Sequence, residues 1–403
     1  MNQDAWPPTE AALRERLAAV DAAAYARSRN ALDGAVTGLS PYITHGFVTP
    51  LQVLQAVAAG GQPLHLQHRL VQELGWREYF RHVWARLGEG IFESLHPGPL
   101  ADAAYAAGLP ADLREGRTGL PVVDRAVRSL YDTGYLHNHA RLWLAAYAVH
   151  YRKLHWRAGA DWLWAHLLDG DLASNHLSWQ WVAGTASSKP YLFDAANVAR
   201  FAPPPWHCAG TALEAPWEAL EALARRPGAV LAGEAGAPGV SGVQEPALVG
   251  ETRRWLPAAE AAPVEQRHVW LVHPWALRAA PADLPPGTVR VGLWLTDFHA
   301  ARPWSARRQA FVEARMGELC DVVWRTDAAT AAEALHGARS VQAVAEPHLQ
   351  RWLPKLARCR PAPRLFPEPR THCRSFSQWW KAVTRELAGC APSPSGIPLA
   401  ESL

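Results

Sequence analysis

The sequence predicts two unlike halves: a mainly helical N-terminal domain and a smaller C-terminal α/β domain with a parallel sheet. Three observations carry this. Residues 1–200 show helical periodicity with almost no strand-like alternation. A stretch rich in Ala, Gly and Pro opens at Pro203-Pro204-Pro205 and runs to about residue 265. From 266, short β-branched runs alternate with helical stretches, the pattern of a parallel sheet. The expected organisation is therefore 1–205 helical, 206–265 linker, 266–390 α/β and 391–403 tail.

In the first half, Leu66, Leu70, Leu74, Val83 and Leu87 mark a helix over roughly 64–87. Asp124 to Leu130 and Ala140 to Tyr151 mark others. Ser40-Pro41 and Thr49-Pro50 each read as an N-cap residue followed by proline at the first helical position. The linker holds one expected helix, Pro216 to Ala224. In the second half the expected strands are Val269–Val272, Val289–Leu295, Asp321–Trp324, Val341–Val344 and Arg364–Phe366, with helices over 304–319, 328–336, 347–357 and 376–387. Neither GxGxxG nor GxxxxGK[ST] occurs there, so no nucleotide fingerprint is visible.

Composition excludes several classes. At 403 residues with 49% hydrophobic and 19% charged residues, the chain can bury large cores and is neither disordered nor collagen-like. Its apolar runs, such as Leu142 to Val149, fall far short of a membrane span of about 20 residues. The first ten residues lack a basic-then-apolar leader pattern, which predicts a cytoplasmic protein. A net charge of +3 provides no basic arm, so any nucleic-acid contact must come from a local patch. The five cysteines show no CxxC pair and read as free thiols. Tryptophan is abundant, at 20 residues.

Four clusters carry candidate chemistry. Thr37-Gly38-Leu39-Ser40-Pro41 places hydroxyls and a glycine before a proline-started helix, an arrangement suited to an anion. A plain helix cap explains it as well. Glu73, Trp76 and Arg77 share a helix face at i, i+3 and i+4, and so does a surface ion pair beside a half-buried tryptophan. Asn138 and Arg141 are i, i+3 neighbours in a histidine-rich helix start. Asp169-Gly170-Asp171 precedes Asn175 and Trp179, which share a face. That last motif suggests calcium, but Gln180 stands where an EF-hand needs glutamate, so no metal site is expected.

Together, in order and spacing, Tyr25, Thr37 to Pro41, Glu73 to Glu78, Gly119 to Asp124, His137-Asn138 with Arg141, and Asp169 through Trp181 resemble the FAD-binding domain of the DNA photolyase/cryptochrome family over about 175 residues. The resemblance implies FAD as cofactor, held by Tyr25, Thr37, Gly38, Leu39, Ser40, Arg77, Arg141, Asp169, Asp171 and Asn175, with Asn175 facing flavin N5. All lie within 25–200. It implies a cavity for a flipped pyrimidine dimer, walled by Glu73, Trp76 and Trp181 and flanked by Asn138 and Leu142. Asparagine at 138 resembles the cyclobutane-dimer branch. The same likeness gives Arg29 a DNA-phosphate contact, and Trp179 and Trp156 an electron-transfer role.

Glu73, Asn138 and Asn175 are the expected catalytic set, and damaged DNA is the expected partner. No antenna pigment, membrane or protein partner is implied. The sequence also departs from the family pattern. Ala103 stands where a third tryptophan is expected, with Tyr105, Trp162 or Trp164 as substitutes. His139 and Phe193 stand where arginines are expected. The α/β segment follows the FAD segment instead of preceding it, and Trp304 to Phe311 loosely resembles the first helix of an antenna domain. The implied activity is light-driven repair of cyclobutane pyrimidine dimers. The alternative is a cryptochrome-like blue-light receptor without repair activity.

Overall fold

In a computed structural model the protein is described over residues 5–231, 241–249 and 259–388. The first half is helical and the second holds a five-stranded, wholly parallel sheet. Its strands are β1 (His268–Val272), β2 (Val289–Leu295), β3 (Val322–Thr326), β4 (Ser340–Val344) and β5 (Arg358–Arg360), in the order β3-β2-β1-β4-β5. Val269 pairs with Val289 on one side and Val341 on the other, which puts β1 at the centre. Four of these strands lie where β-branched runs predict them. The fifth does not. Arg364–Phe366 forms no strand; Leu365 and Phe366 are buried, and Phe366 packs against Trp379 and Trp380. The last ladder is made by Arg358–Arg360, just before Pro361 and Pro363, since proline cannot donate to a ladder.

Helix boundaries follow local chemistry. Thr49 caps Pro50–Ala59 with a full capping box, its hydroxyl accepting from Gln52 N. The expected cap at Ser40 is displaced by one residue: Leu39 is the N-cap and Ser40 begins the five-residue helix Ser40–Thr44. This frees the Ser40 hydroxyl to hydrogen-bond Asp169. The long helix starts at Arg69, later than expected, and runs to Leu87. Pro121–Thr133 and Asn138–Ala146 cover the next two expected helices, the second passing into a π turn over Tyr147–Tyr151. The expected helix 347–357 is broken into a turn at Pro347–Leu349 and a short helix Leu353–Leu356, because Pro347 and Pro354 each remove a donor. Phe376–Ala388 forms as expected, and Thr296–Ala301 is a helix that periodicity missed.

Part of the linker segment is built into the helical half. Trp217–Arg225 buries Leu220 and Ala224 in the same core as Trp143 and Tyr151. Lys153 Nζ donates to the Leu223 and Ala224 carbonyls, capping that helix from across the fold. The remainder of 206–265 falls partly, and the tail wholly, outside the described residues.

Two hydrophobic cores result. One joins the helices Glu10–Ala18, Pro50–Ala59 and Arg69–Leu87 to the sheet, and so spans both halves of the chain. The other lies within the helical half. Helices Trp156–His166 and Leu172–Ala183 straddle them: Trp164 and Leu177 face the first, Trp162 and Val182 the second. The cavity described next opens at this seam.

Candidate flavin site and its mouth

A cavity of ≈ 290 Å³ lies between the two cores. Five segments reach it: Tyr25, the 37–44 turn and helix, the face of Arg69–Leu87 bearing Glu73, Trp76 and Arg77, the helix from Asn138, and the stretch 163–182. Its wall combines apolar side chains, among them Leu70, Leu163 and Leu167, with hydroxyls, amides and charged groups.

The Asp169–Asp171 turn supplies the charge. Arg141 Nη2 donates to both oxygens of Asp169, at 3.0 and 2.8 Å. Asp171 is the N-cap of Leu172–Ala183. Its Oδ1 accepts from Ser174 N at 3.0 Å and Ser174 Oγ at 2.8 Å. Its Oδ2 accepts from Arg81 at 3.0 Å and, more loosely, Arg77 at 3.4 Å. Burial pushes both carboxyls towards the neutral form. The guanidiniums overcome it: Arg141 holds Asp169 below the usual carboxylate range, and Arg77 and Arg81 hold Asp171 well below. Both acids are therefore charged at neutral pH.

Behind the turn, Glu346 pairs with Arg81 at 3.6 Å and with His348 at 2.5 Å; burial opposes its charge, yet Arg81 and His348 bring its carboxyl down to about 2. Arg308, from the α/β half, is wholly buried. Desolvation lowers its guanidinium to about 9, with Asp169 and Asp171 opposing the shift, so it too stays charged at neutral pH.

Most of the sequence-derived site residues meet here. Tyr25, Thr37, Ser40, Arg77, Arg141, Asp169, Asp171 and Asn175 all line the cavity, and so do Glu73, Trp76, Asn138, Leu142 and Trp179. Asn175 Nδ2 donates to Ala160 O at 2.8 Å, which fixes the amide's orientation. Trp179 is seated against Gly159, where a Cβ would lie 2.3 Å from the indole, so only glycine permits this approach.

Five of the expected site residues stand outside the lining, and so does Phe193. Leu39 is fully buried, and Gly38 takes a positive φ with its carbonyl accepting from Trp6 Nε1. Trp156 is buried with its Nε1 donating to Ser94 Oγ; His155 lies against its ring and Tyr105 against His155. Arg29 pairs with Glu73 at 3.1 Å. Trp181 is 38% exposed and leans on Tyr191, outside the cavity wall. Phe193 is buried beside Tyr151 and Trp143, in core rather than at a surface.

Sequence reasoning missed Arg81, Ser174, Glu346, His348 and Arg308. Arg81 carried a signal, being one turn beyond Arg77 on the same face. Ser174 is the third residue after an aspartate N-cap, also a readable pattern. The other three come from more than a hundred residues away and carry none.

The donor set fits FAD. Hydroxyls of Tyr25, Thr37 and Ser40 with Arg77 suit phosphates, apolar wall residues such as Leu163 and Leu167 suit a fused ring, and an amide beside a charged Arg–Asp pair suits a ring with polar edges. Comparison with known proteins agrees. Residues 70–203 match the FAD binding domain of DNA photolyase. The chain is 36% identical to a deoxyribodipyrimidine photo-lyase of Thermus thermophilus, over 46% of this chain and 45% of that protein. It is 34% identical to the Escherichia coli deoxyribodipyrimidine photo-lyase over 38% and 34% of the two chains. It is 32% identical to cryptochrome-1 of Arabidopsis thaliana over 40% and 25%. The chain thus spans less than half the length of each of these relatives. Among the described residues no helix is long and apolar enough to cross a membrane.

Proposed function

Because its helical half belongs to the photolyase/cryptochrome family and binds FAD, we propose that the protein repairs cyclobutane pyrimidine dimers in DNA by light-driven electron transfer. The observation that carries the reading is that Glu73, Trp76, Asn138 and Leu142, none of them fully buried, line the same cavity as the residues expected to hold FAD. Reduced FAD would supply light absorption and the electron that opens the cyclobutane ring.

The chain's own residues bind and orient the lesion. Trp76 presents a flat wall, and Phe376 stacks on it at 4.1 Å and 8°, so the indole is held before a base arrives. Glu73 offers a carboxyl to the base edge, steered by Arg29. The Asn138 amide can donate and accept at the same edge. Leu142 and Phe80 exclude water from the cavity. Trp179, buried against the cavity with Trp156 one helix away, suits an internal electron path to the cofactor.

One observation favours the alternative, a blue-light receptor without repair. Arg29, the cation expected on a DNA phosphate, is engaged by Glu73. The test illuminates reduced, FAD-loaded protein with a dimer-containing oligonucleotide and measures restored thymines. Repair with turnover supports the enzyme. Photoreduction of the flavin without repair, and equal affinity for damaged and undamaged strands, sinks it in favour of the receptor.

A further inference from the structure

In an open parallel sheet, the crevice outside the carboxyl ends of the strands, where the strand order reverses, is the usual seat of a ligand. Here that point lies between β1 and β4. The chain leaving them, His273 to Trp275 and Glu346 to His348, closes on the helical half. His348 Nε2 accepts from Leu172 N at 3.4 Å, and its ring stacks on Trp275 at 4.4 Å. Glu346 engages Arg81, which itself donates to Asp171.

A second contact comes from the helix Ala306–Leu319. The Arg308 guanidinium lies between the indoles of Trp304 (3.8 Å) and Trp164 (4.9 Å). It donates to Trp164 O at 3.0 Å and to Gly170 O. The approach is close: a Cβ on Gly170 would lie 2.6 Å from Arg308 Nη1. The turn that carries both cavity carboxylates is thus gripped at its central carbonyl and, through Arg81, at Asp171.

We propose that Arg308 and Glu346 are positioning residues of the FAD site: the ligand-binding edge of the α/β half takes the Asp169–Asp171 turn as its ligand and holds its carboxylates in the geometry that receives the cofactor. The inference rests on FAD occupying the cavity. It requires that docking of the α/β half and FAD affinity be thermodynamically coupled, each strengthening the other. It also assigns the C-terminal half a task within the flavin site that the family-model match, over residues 70–203, does not.

The test uses full-length protein stripped of flavin, titrated with FAD by flavin fluorescence, with the visible flavin band as a second readout. Arg308→Gln is expected to weaken FAD about tenfold and shift the band, since it removes the charge-assisted hydrogen bond to Gly170 O in the turn and the one to Trp164 O in the helix before it. Arg308→Lys should restore part of both. Glu346→Gln, nearly isosteric, should weaken FAD about threefold. Arg290→Gln is the control: Arg290 pairs with Asp321 inside the α/β half, at the amino end of β2, and touches neither the turn nor the helical half. Its FAD affinity should stay that of the wild type.

A folded Arg308→Gln that binds FAD as the wild type does overturns the proposal. Equal weakening by Arg290→Gln overturns it as well, because the effect is then general loosening. If Arg308→Gln does not fold, Glu346→Gln decides, and unchanged affinity there counts against the clamp. Wild-type protein that takes up no FAD defeats the cofactor reading itself, an outcome distinct from tight wild-type binding with unaltered variants.

Discussion

At the floor of the cavity, the Asp169 and Asp171 side chains are 5% and 1% exposed and meet arginines from three directions. At its mouth, Glu73 is 37% exposed and meets one arginine, itself 22% exposed. The chemistry is the same, a carboxylate and a guanidinium, but the physics is not. Buried charges cannot borrow water, so removing a partner leaves the other stranded. Exposed pairs exchange partners at little cost. The floor is therefore fixed before any ligand arrives, while the mouth can release Arg29 to a phosphate and Glu73 to a base.

The hardest way to break the comparison is Asp171→Asn. It takes the ion-pair partner from Arg77 and leaves Arg81 with Glu346 alone, and a loss of about 3 kcal/mol is expected together with loss of bound FAD, read by thermal melts and flavin absorbance. A melt unchanged from wild type would show that the floor is no more rigid than the mouth.

Acid should expose the same difference. Asp169, Asp171 and Glu346 have folded-state pKa values below their ordinary ones. Their contribution to stability is then full above the unfolded values and lost as pH falls through the folded ones. For Glu346 the window runs from the ordinary 4.5 down to about 2. Urea titrations at stepped pH should show Glu346→Gln with a shallower acid limb than wild type. Parallel curves would remove Glu346 from the buried network.

At the mouth, Trp181→Ala should leave FAD content untouched. If DNA binding draws this exposed indole to a base, it should weaken dimer binding about tenfold, since base stacking contributes about 1–3 kcal/mol. Titration of damaged and plain oligonucleotide separates these, and unchanged affinity would leave Trp181 a surface residue. The smallest effect on stability is expected from Glu73→Gln, within about 0.5 kcal/mol. Repair per bound dimer should nevertheless fall, because the amide loses the charge-assisted bond to Arg29 that orients this side chain at the base edge. A larger loss of stability would place Glu73 with the floor.

Local spacing made the helix faces legible. Glu73, Trp76 and Arg77 share one because the α-helix repeats every 3.6 residues, and all three reach the cavity. Spacing does not name partners. Asp171 takes Arg81 more closely than Arg77. Both are within reach of the same turn, and only the packing of two helices decides. Trp181 shows the converse. Its neighbours Trp179 and Val182 face inward, and its own exposure depends on what the rest of the chain leaves uncovered.

By itself the sequence determined the two-part architecture, four of the five strands, and most of the short segments that meet at the cavity. These follow from periodicity, β-branched runs and caps, all set within a few residues. Only the tertiary structure decided that the last strand is Arg358–Arg360, that part of the expected linker joins the helical core, and that Arg308 reaches the Asp169–Asp171 turn directly and Glu346 through Arg81. Those contacts span up to 265 residues of chain in the case of Arg81 and Glu346. They exist because a buried charge must find its partner wherever the fold brings one, and no local pattern records where that is.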